Sequence, residues 1–211
     1  MADSRETADR QEADLLHLPK QIARTALFIA RRFIVFVVNM LAVPPDATAI
    51  QTLRCWIMRL IGFKVGNRSQ LSEGLYVYNG RNFRAGPGCR IGSFCRIWDF
   101  TEIIIGDNLL ASHGLTLISG THYLDIDRTS RPGPIRIGDN VWIGINVTIV
   151  GPAHVGDNVI IGANSLVIHD LESNGVYAGS PAKLIRKMDA NIKQETSTSC
   201  REDGLDAKSG P

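Results

Sequence analysis

From Val65 onward the chain is paced in sixes, and the pacing is cleanest in IGDNVW IGINVT IVGPAH VGDNVI IGANSL V, where Ile137, Ile143, Ile149, Val155, Ile161 and Val167 stand six residues apart. Four residues after each of the first five comes a small or β-branched residue: Val141, Val147, Ala153, Val159 and Ser165. Two positions in six therefore point inward. The larger fills an interior and the smaller fits where the chain bends, while Gly-Asp-Asn tripeptides supply turn conformations. The same phasing holds at Val65, Leu71 and Val77, at Ile91 and Ile97, and at Ile105, Ala111 and Leu117, with two-residue slips between the blocks. A strict six matches neither strand alternation nor the helical period. Short strands joined by tight turns and stacked coil on coil do match it, so the fold class is an all-β solenoid. Three hexads per coil predict a triangular prism whose strands pair with the coils above and below. An up-and-down sandwich would instead carry turn signals every 8–12 residues or so and no fixed period.

Ahead of the repeats the period becomes helical. Between Leu15 and Val43, the residues Ile22, Ala26, Ile29, Phe33, Phe36 and Met40 alternate spacings of four and three, and Pro44-Pro45 ends the run. Asp46 reads as the N-cap of a second helix with apolar Ile50, Leu53, Ile57 and Leu60, closed by Gly62. The expected organisation is a flexible N-terminus over 1–14, an α-helical hairpin over 15–62, the solenoid domain over 63–186 with a loop at 123–136, and a flexible tail over 187–211. Residues 33–43 are too few to cross a bilayer, and extension to Ala26 brings in Arg31 and Arg32, at roughly 2.5 kcal/mol each near a helix centre. The stretch 22–43 then either packs on its own protein or a partner subunit, or makes peripheral contact with a membrane surface. Acidic residues crowd the N-terminus, against a cleaved signal peptide.

Length and charge narrow the rest. At 211 residues and 44% hydrophobic, one domain with a sizeable core is expected. A net charge of +2 without a dense Lys/Arg run excludes a nucleic-acid footprint. Four cysteines, Cys55, Cys89, Cys95 and Cys200, form no CxxC pair, which favours reduced thiols and a cytoplasmic setting, with membrane association left open by the helical hairpin. Cys89 and Cys95 read as packing residues.

The rhythm lapses once, in SGTHYLDIDRTSRPGPIRIGDN: it stops just behind His122 and resumes at Ile137. Here the chain resembles the hexapeptide-repeat acyltransferases, which are built on a left-handed parallel β-helix. The resemblance covers Val65 to Arg186 and is densest from Gly120. THYLD is similar to the THPLD-like segment of maltose and galactoside acetyltransferases, and IGDNVWIG, IIGANSLV and AGSPAKLIRK follow in the order found there. The helical hairpin with RLIGFKVG is closer to the branch that acetylates exopolysaccharides, including colanic-acid and nodulation-factor types.

The resemblance implies an enzyme that moves an acetyl group from acetyl-CoA to a hydroxyl of a sugar or polysaccharide precursor, acting as a homotrimer with the donor laid between prisms. A repeating wall offers flat faces only, so an excursion from Tyr123 to Arg136 would enclose the acceptor, with His122 at its base on the last regular coil position. A neutral imidazole, with an ordinary pKa of about 6.5, suits removal of the hydroxyl proton at neutral pH, which makes His122 the expected general base. Asp99, in IWDFTEIIIG, matches an acidic residue that orients the base or binds a sugar hydroxyl. An asparagine of galactoside-type enzymes is replaced by GSFC. Tyr123, Asp125 and Arg128 are further candidates for the acceptor.

For the donor, the resemblance assigns Trp142 to the pantetheine or adenine path, the backbone of Gly144, Ala163 and Ile168 to the pantetheine arm, and Lys183 and Arg186 to phosphates. Ile145 stands where a hydroxyl-bearing residue is usual, with the Gly144-Ile145 backbone as the oxyanion donor. His169 occupies a position often held by a lysine near phosphate. His113 and His154 fall at outward hexad positions and read as surface residues, and His17 lies in the N-terminal segment. No metal is expected: γ-type carbonic anhydrases share the scaffold, but His113 and His122 are nine apart and no HxxxxH occurs. Two alternatives stay open, an antibiotic acetyltransferase and a non-catalytic repeat scaffold.

Overall fold

The computed structural model describes residues 22–30, 33–34, 36–37, 48–122 and 126–188. The termini expected at 1–14 and, beyond Met188, in the tail lie outside the described residues, as do Asp46, Tyr123 and Asp125. Residues 22–30 form helix α1, with helical positions again at 33–34 and 36–37, and Thr48–Leu60 forms α2. Gly62 closes α2 in a left-handed conformation, φ 90°, with its N-H on the Arg59 carbonyl at 2.9 Å and the Phe63 N-H on Met58 at 3.0 Å. The face that α2 buries is not the expected stripe. Gln51, Arg54, Cys55 and Met58 are buried, whereas Leu53 and Leu60 are exposed. Cys55, Met58 and Phe63 join the core cluster at the open end of the first coil, and Arg59 donates to the carbonyls of Val65 and Gly66, so the helix is rotated to seal that end.

Beyond α2 the chain winds as a left-handed β-helix of five coils and part of a sixth. Its first face stacks Lys64–Val65, Phe83–Ala85, Ile103–Ile105, Ile135–Ile137 and Ala153–Val155 in parallel. The second stacks Gln70–Leu71, Arg90–Ile91, Leu110–Ala111, Trp142–Ile143, Ile160–Ile161 and Gly175–Ala178, and Lys183–Lys187 closes it by antiparallel pairing. The third stacks Tyr76–Val77, Arg96–Trp98, Thr116–Ile118, Thr148–Val150 and Leu166–Val167. The six aliphatics of the cleanest run are all 3% exposed or less, so each hexad adds one side chain to a continuous core. Burying each is worth about 1.5–3 kcal/mol. The five smaller positions, Val141 to Ser165, are buried as well.

Turn chemistry matches the tripeptides. Asn108, Asn140 and Asn158 sit at φ 54–58° after each Gly-Asp, and their side chains stack, with Asn108 Nδ2 donating to Asn140 Oδ1 at 3.1 Å. The aspartates form a second ladder beside them: Asp107 N-H donates to Asp139 Oδ1 at 2.7 Å, and Asp139 N-H to Asp157 Oδ1 at 2.8 Å. Asparagine tolerates the left-handed backbone here and returns a lateral hydrogen bond, which is why this corner repeats so closely.

Coil length is where the fold departs from uniformity. Val65 pairs with Ala85 and Ala85 with Ile105, two steps of 20 residues; Ile105 pairs with Ile137, a step of 32; Ile137 pairs with Val155, a step of 18. All the surplus leaves at one corner, between the third face and the first. Two extra residues leave there in each of the first two coils, which accounts for the slips in the sequence rhythm, and a β-hairpin leaves there in the third.

Candidate active site

The hairpin pairs Gly120–His122 with Ser130–Pro132, matching Gly120 to Pro132, Thr121 to Arg131 and His122 to Ser130. This corrects the expected boundaries. The excursion opens at Gly120, so His122 stands on the hairpin and not on the coil wall. It closes before Ile135, because Ile135 and Arg136 already pair with Ile103 and Ile104 on the first face. Backbone contact makes the return tight: a Cβ on Gly151 would lie 1.9 Å from the Gly133 carbonyl oxygen, so the exit strand passes over the next coil only with glycine at that position.

His122 is exposed, and its Nδ1 lies 2.6 Å from the carbonyl oxygen of Arg128. A carbonyl only accepts, so Nδ1 carries the proton and Nε2 is left as the basic nitrogen. Arg128 reaches this position with φ 47°, a left-handed conformation uncommon for a bulky residue. The base is thus oriented by the backbone of its own hairpin.

Asp99 lies elsewhere than expected. It is fully buried, and its carboxylate accepts the Asn79 N-H at 2.7 Å and the Asn82 N-H at 3.1 Å from the corner one coil below. Burial pushes its pKa up, and the backbone donors only partly oppose that. Asn82 Nδ2 donates back to the carbonyls of Asp99 and Phe100. One coil higher, Ser119 Oγ accepts the Thr101 N-H at 2.9 Å and lies 2.9–3.0 Å from the carbonyls of Thr101 and Trp98. Asp99 and Ser119 therefore fasten successive surplus corners, and the hairpin stands on this column. The carboxylate is committed to backbone amides and is not presented to an acceptor.

The donor candidates divide into two groups. Trp142, half exposed between Leu110 and Ile160, shares the second face with Lys183 and Arg186 on its closing strand, and Gly144, Ile145 and Ala163 occupy the corner between that face and the third. Ile168 and His169 follow the last strand of the third face, toward the hairpin's corner. The whole third face separates His122 from Trp142 within one chain. Of the backbone groups at this corner, the Gly144 N-H donates to Ile161 O at 2.8 Å within the coil stack.

Three features were missed by sequence reasoning. Tyr76, Tyr78, Trp98 and Phe100 make an aromatic cluster on the third face, with ring centroids 5.0–6.0 Å apart, and Phe100 lies against Gly120 at the hairpin's base. The signal was present in Tyr-x-Tyr and Trp-x-Phe at outward positions of adjacent coils. Second, buried Arg54 approaches Glu73 at 3.8 Å; Ser93 Oγ also donates to Glu73, and the Ser93 N-H donates to His113 Nδ1 at 3.0 Å. The Ser93 hydrogen bond is the leading cause of a lowered Glu73 pKa. Third, a cavity of about 300 Å³ lies between Gln51 and the second face, lined also by Gln70, Arg90 and His113. His113 is exposed, as expected, but is also part of this arrangement. Burial pushes the thiols of Cys55 and Cys95 up to about 11 and raises that of Cys89, in keeping with packing roles. Among the described residues no group of three or more His, Cys, Asp or Glu could hold a metal ion.

Comparison with known proteins gives three findings. The bacterial transferase hexapeptide (six repeats) model matches residues 134–169. Galactoside O-acetyltransferase of Escherichia coli is 38% identical over 126 residues, covering 58% of this chain and 59% of that protein, and a Saccharomyces cerevisiae protein named for acetyltransferase activity is 35% identical over 126 residues, covering 48% and 63%. The chain thus spans about three fifths of the length of these curated relatives. Among solved structures, galactoside acetyltransferase in complex with coenzyme A superposes with a TM-score of 0.67 at 28% identity, covering 78% of this chain and 82% of that one.

Proposed function

We propose that this chain, a member of the hexapeptide-repeat acetyltransferase family, transfers acetyl groups from acetyl-CoA to a hydroxyl of a saccharide, with His122 as general base. The observation that carries the reading is the His122 Nδ1 to Arg128 carbonyl hydrogen bond, which in the neutral ring places the proton on Nδ1 and the lone pair on Nε2. The acceptor hydroxyl oxygen attacks the thioester carbonyl carbon while Nε2 takes its proton. The tetrahedral intermediate then expels the thiolate, and His122 returns the proton to sulfur, giving the acetyl ester and free coenzyme A. While the ring is charged, the Arg128 carbonyl stabilises it through the same hydrogen bond. This positioning of a base contributes about 10²–10⁴-fold.

Donor groups on the second face and the base at the far corner belong to one site if copies of the chain associate so that the second face of one meets the hairpin of the next. That arrangement supports a trimer with acetyl-CoA in the shared cleft, Trp142 along its path and Lys183 and Arg186 near its phosphates. The related structure that binds coenzyme A supports the donor. The aromatic cluster beside the hairpin supports a saccharide as acceptor, because sugar rings stack their C-H faces on aromatic side chains. The test is release of free thiol from acetyl-CoA across a panel of saccharides, glycolipids and hydroxyl-bearing antibiotics. Acceptor-dependent release with a saccharide is expected; turnover confined to antibiotics would replace the acceptor, and no release with any would remove the activity.

A further inference from the structure

The helices ahead of the coils carry a run of uncovered apolar side chains. On α1 and its continuation Ile22, Leu27, Ile29, Phe33 and Phe36 are each more than half exposed. On α2 the side away from the coils presents Leu53, Trp56 at 55% and Leu60 at 65%, at helical spacings of three and four. In helical projection Ile22, Ala26, Ile29, Phe33 and Phe36 fall within about 80° of one another, and Arg24 falls about 160° from their centre, with Leu27 on the same side as Arg24. Among the described residues no helix is long and apolar enough to cross a membrane. Charge adds an independent observation: leaving out buried Arg54 and its partner Glu73, there are seven lysines and arginines from Leu15 to Ser72 against one acid, Asp46, in a chain whose net charge is only +2.

We infer that α1 and the outer stripe of α2 bind an anionic lipid surface, holding the β-helix on a membrane by its N-terminal end. An apolar stripe opposite basic residues lies in the plane of a bilayer, with the stripe among acyl chains and the cations among headgroups, and indole rings favour the same depth. A second copy of the chain is the poorer occupant, because it would bring an equally cationic segment against the first. The hairpin leaves between the third and fourth coils, and at the spacing of paired strands this puts His122 on the order of 10–15 Å along the axis from the first coil. Acceptors tethered to the same membrane fall within that reach. The inference does not depend on the chemistry at His122.

Flotation of the full chain with vesicles tests it, using phosphatidylcholine alone and phosphatidylcholine mixed with phosphatidylglycerol. Partitioning onto the mixed vesicles is expected, on the order of tenfold stronger than onto phosphatidylcholine and weakened by added salt. The variant Leu53→Ser/Trp56→Ser/Leu60→Ser changes exposed side chains only, so it keeps its circular dichroism spectrum while losing about tenfold or more in partitioning. Absence of flotation with either vesicle overturns the inference, as does unchanged partitioning of the triple variant. A change in oligomeric mass of that variant, with no lipid binding by the parent chain, assigns the stripe to a subunit seam instead.

Discussion

Replacing Asp99 separates a structural role in the hairpin's foundation from a role in acceptor binding. In Asp99→Ala the N-H groups of Asn79 and Asn82 lose the acceptor they hold at 2.7 and 3.1 Å. Each unpaired buried donor costs about 1–3 kcal/mol. Part of that is offset because a carboxylate whose pKa is raised by burial was itself costly to keep charged. The net expectation is about 2–4 kcal/mol of lost stability, a large fraction of the 5–15 kcal/mol or so that a domain has. In a urea titration followed by circular dichroism, with a slope of about 1–3 kcal/mol/M, the midpoint falls by roughly 1–2 M. The sign with pH follows from the direction of the shift. In the folded chain Asp99 holds its proton at higher pH than in the unfolded chain, so between the ordinary carboxylate pKa and the raised one the folded state binds more protons. Stability contributed at this position therefore increases as pH falls through that window and declines as pH rises through it. Asp99→Asn cannot titrate, so its disadvantage relative to the parent is largest below the window and shrinks above it. Loss of less than about 0.5 kcal/mol in Asp99→Ala, within the range of an ordinary surface substitution, together with a raised acceptor KM, would refute the reasoning and restore Asp99 to the acceptor site.

Two further outcomes follow from the same geometry. Trp142→Ala raises the acetyl-CoA KM by about tenfold, the loss of about 1.4 kcal/mol of binding, with kcat changed less; steady-state kinetics at saturating acceptor checks this, and an unchanged KM removes Trp142 from the donor path. Thiol titration of the folded chain modifies no more than one of the four cysteines at pH 8, since burial holds Cys55 and Cys95 at about 11 and raises Cys89, and all four react in denaturant; rapid labelling of two or more without denaturant contradicts the packing.

The prism was legible because its determinants are local and repeated. Ile137 to Val167 mark the inward positions and Gly-Asp-Asn marks the corners, and both appear at the same phase in the structure. The departure from rhythm was also legible, but not its limits. Counting hexads back from Ile137 passes over Ile135, which is buried two residues earlier because this strand of the first face has three residues with both ends inward. Asp99 could have been placed inside by the same alternation, since it is in phase with buried Ile97, with Trp98 pointing out between them. The orientation of His122 was not legible at all: it depends on the carbonyl of Arg128, brought back by an antiparallel pairing that no periodicity announces. On α2 the apolar count favoured Leu53 and Leu60 for burial, whereas sealing the first coil and bringing Arg54 to Glu73 set the rotation.

The proposal that His122 is the base whose Nε2 accepts the hydroxyl proton is tested most directly by the turnover of His122→Ala, with coenzyme A affinity and oligomeric mass measured on the same sample. A fall in kcat of about 10²–10⁴-fold with both other quantities unchanged is predicted. Turnover within a few-fold of the parent chain would contradict it, however well the coils and the cleft are formed.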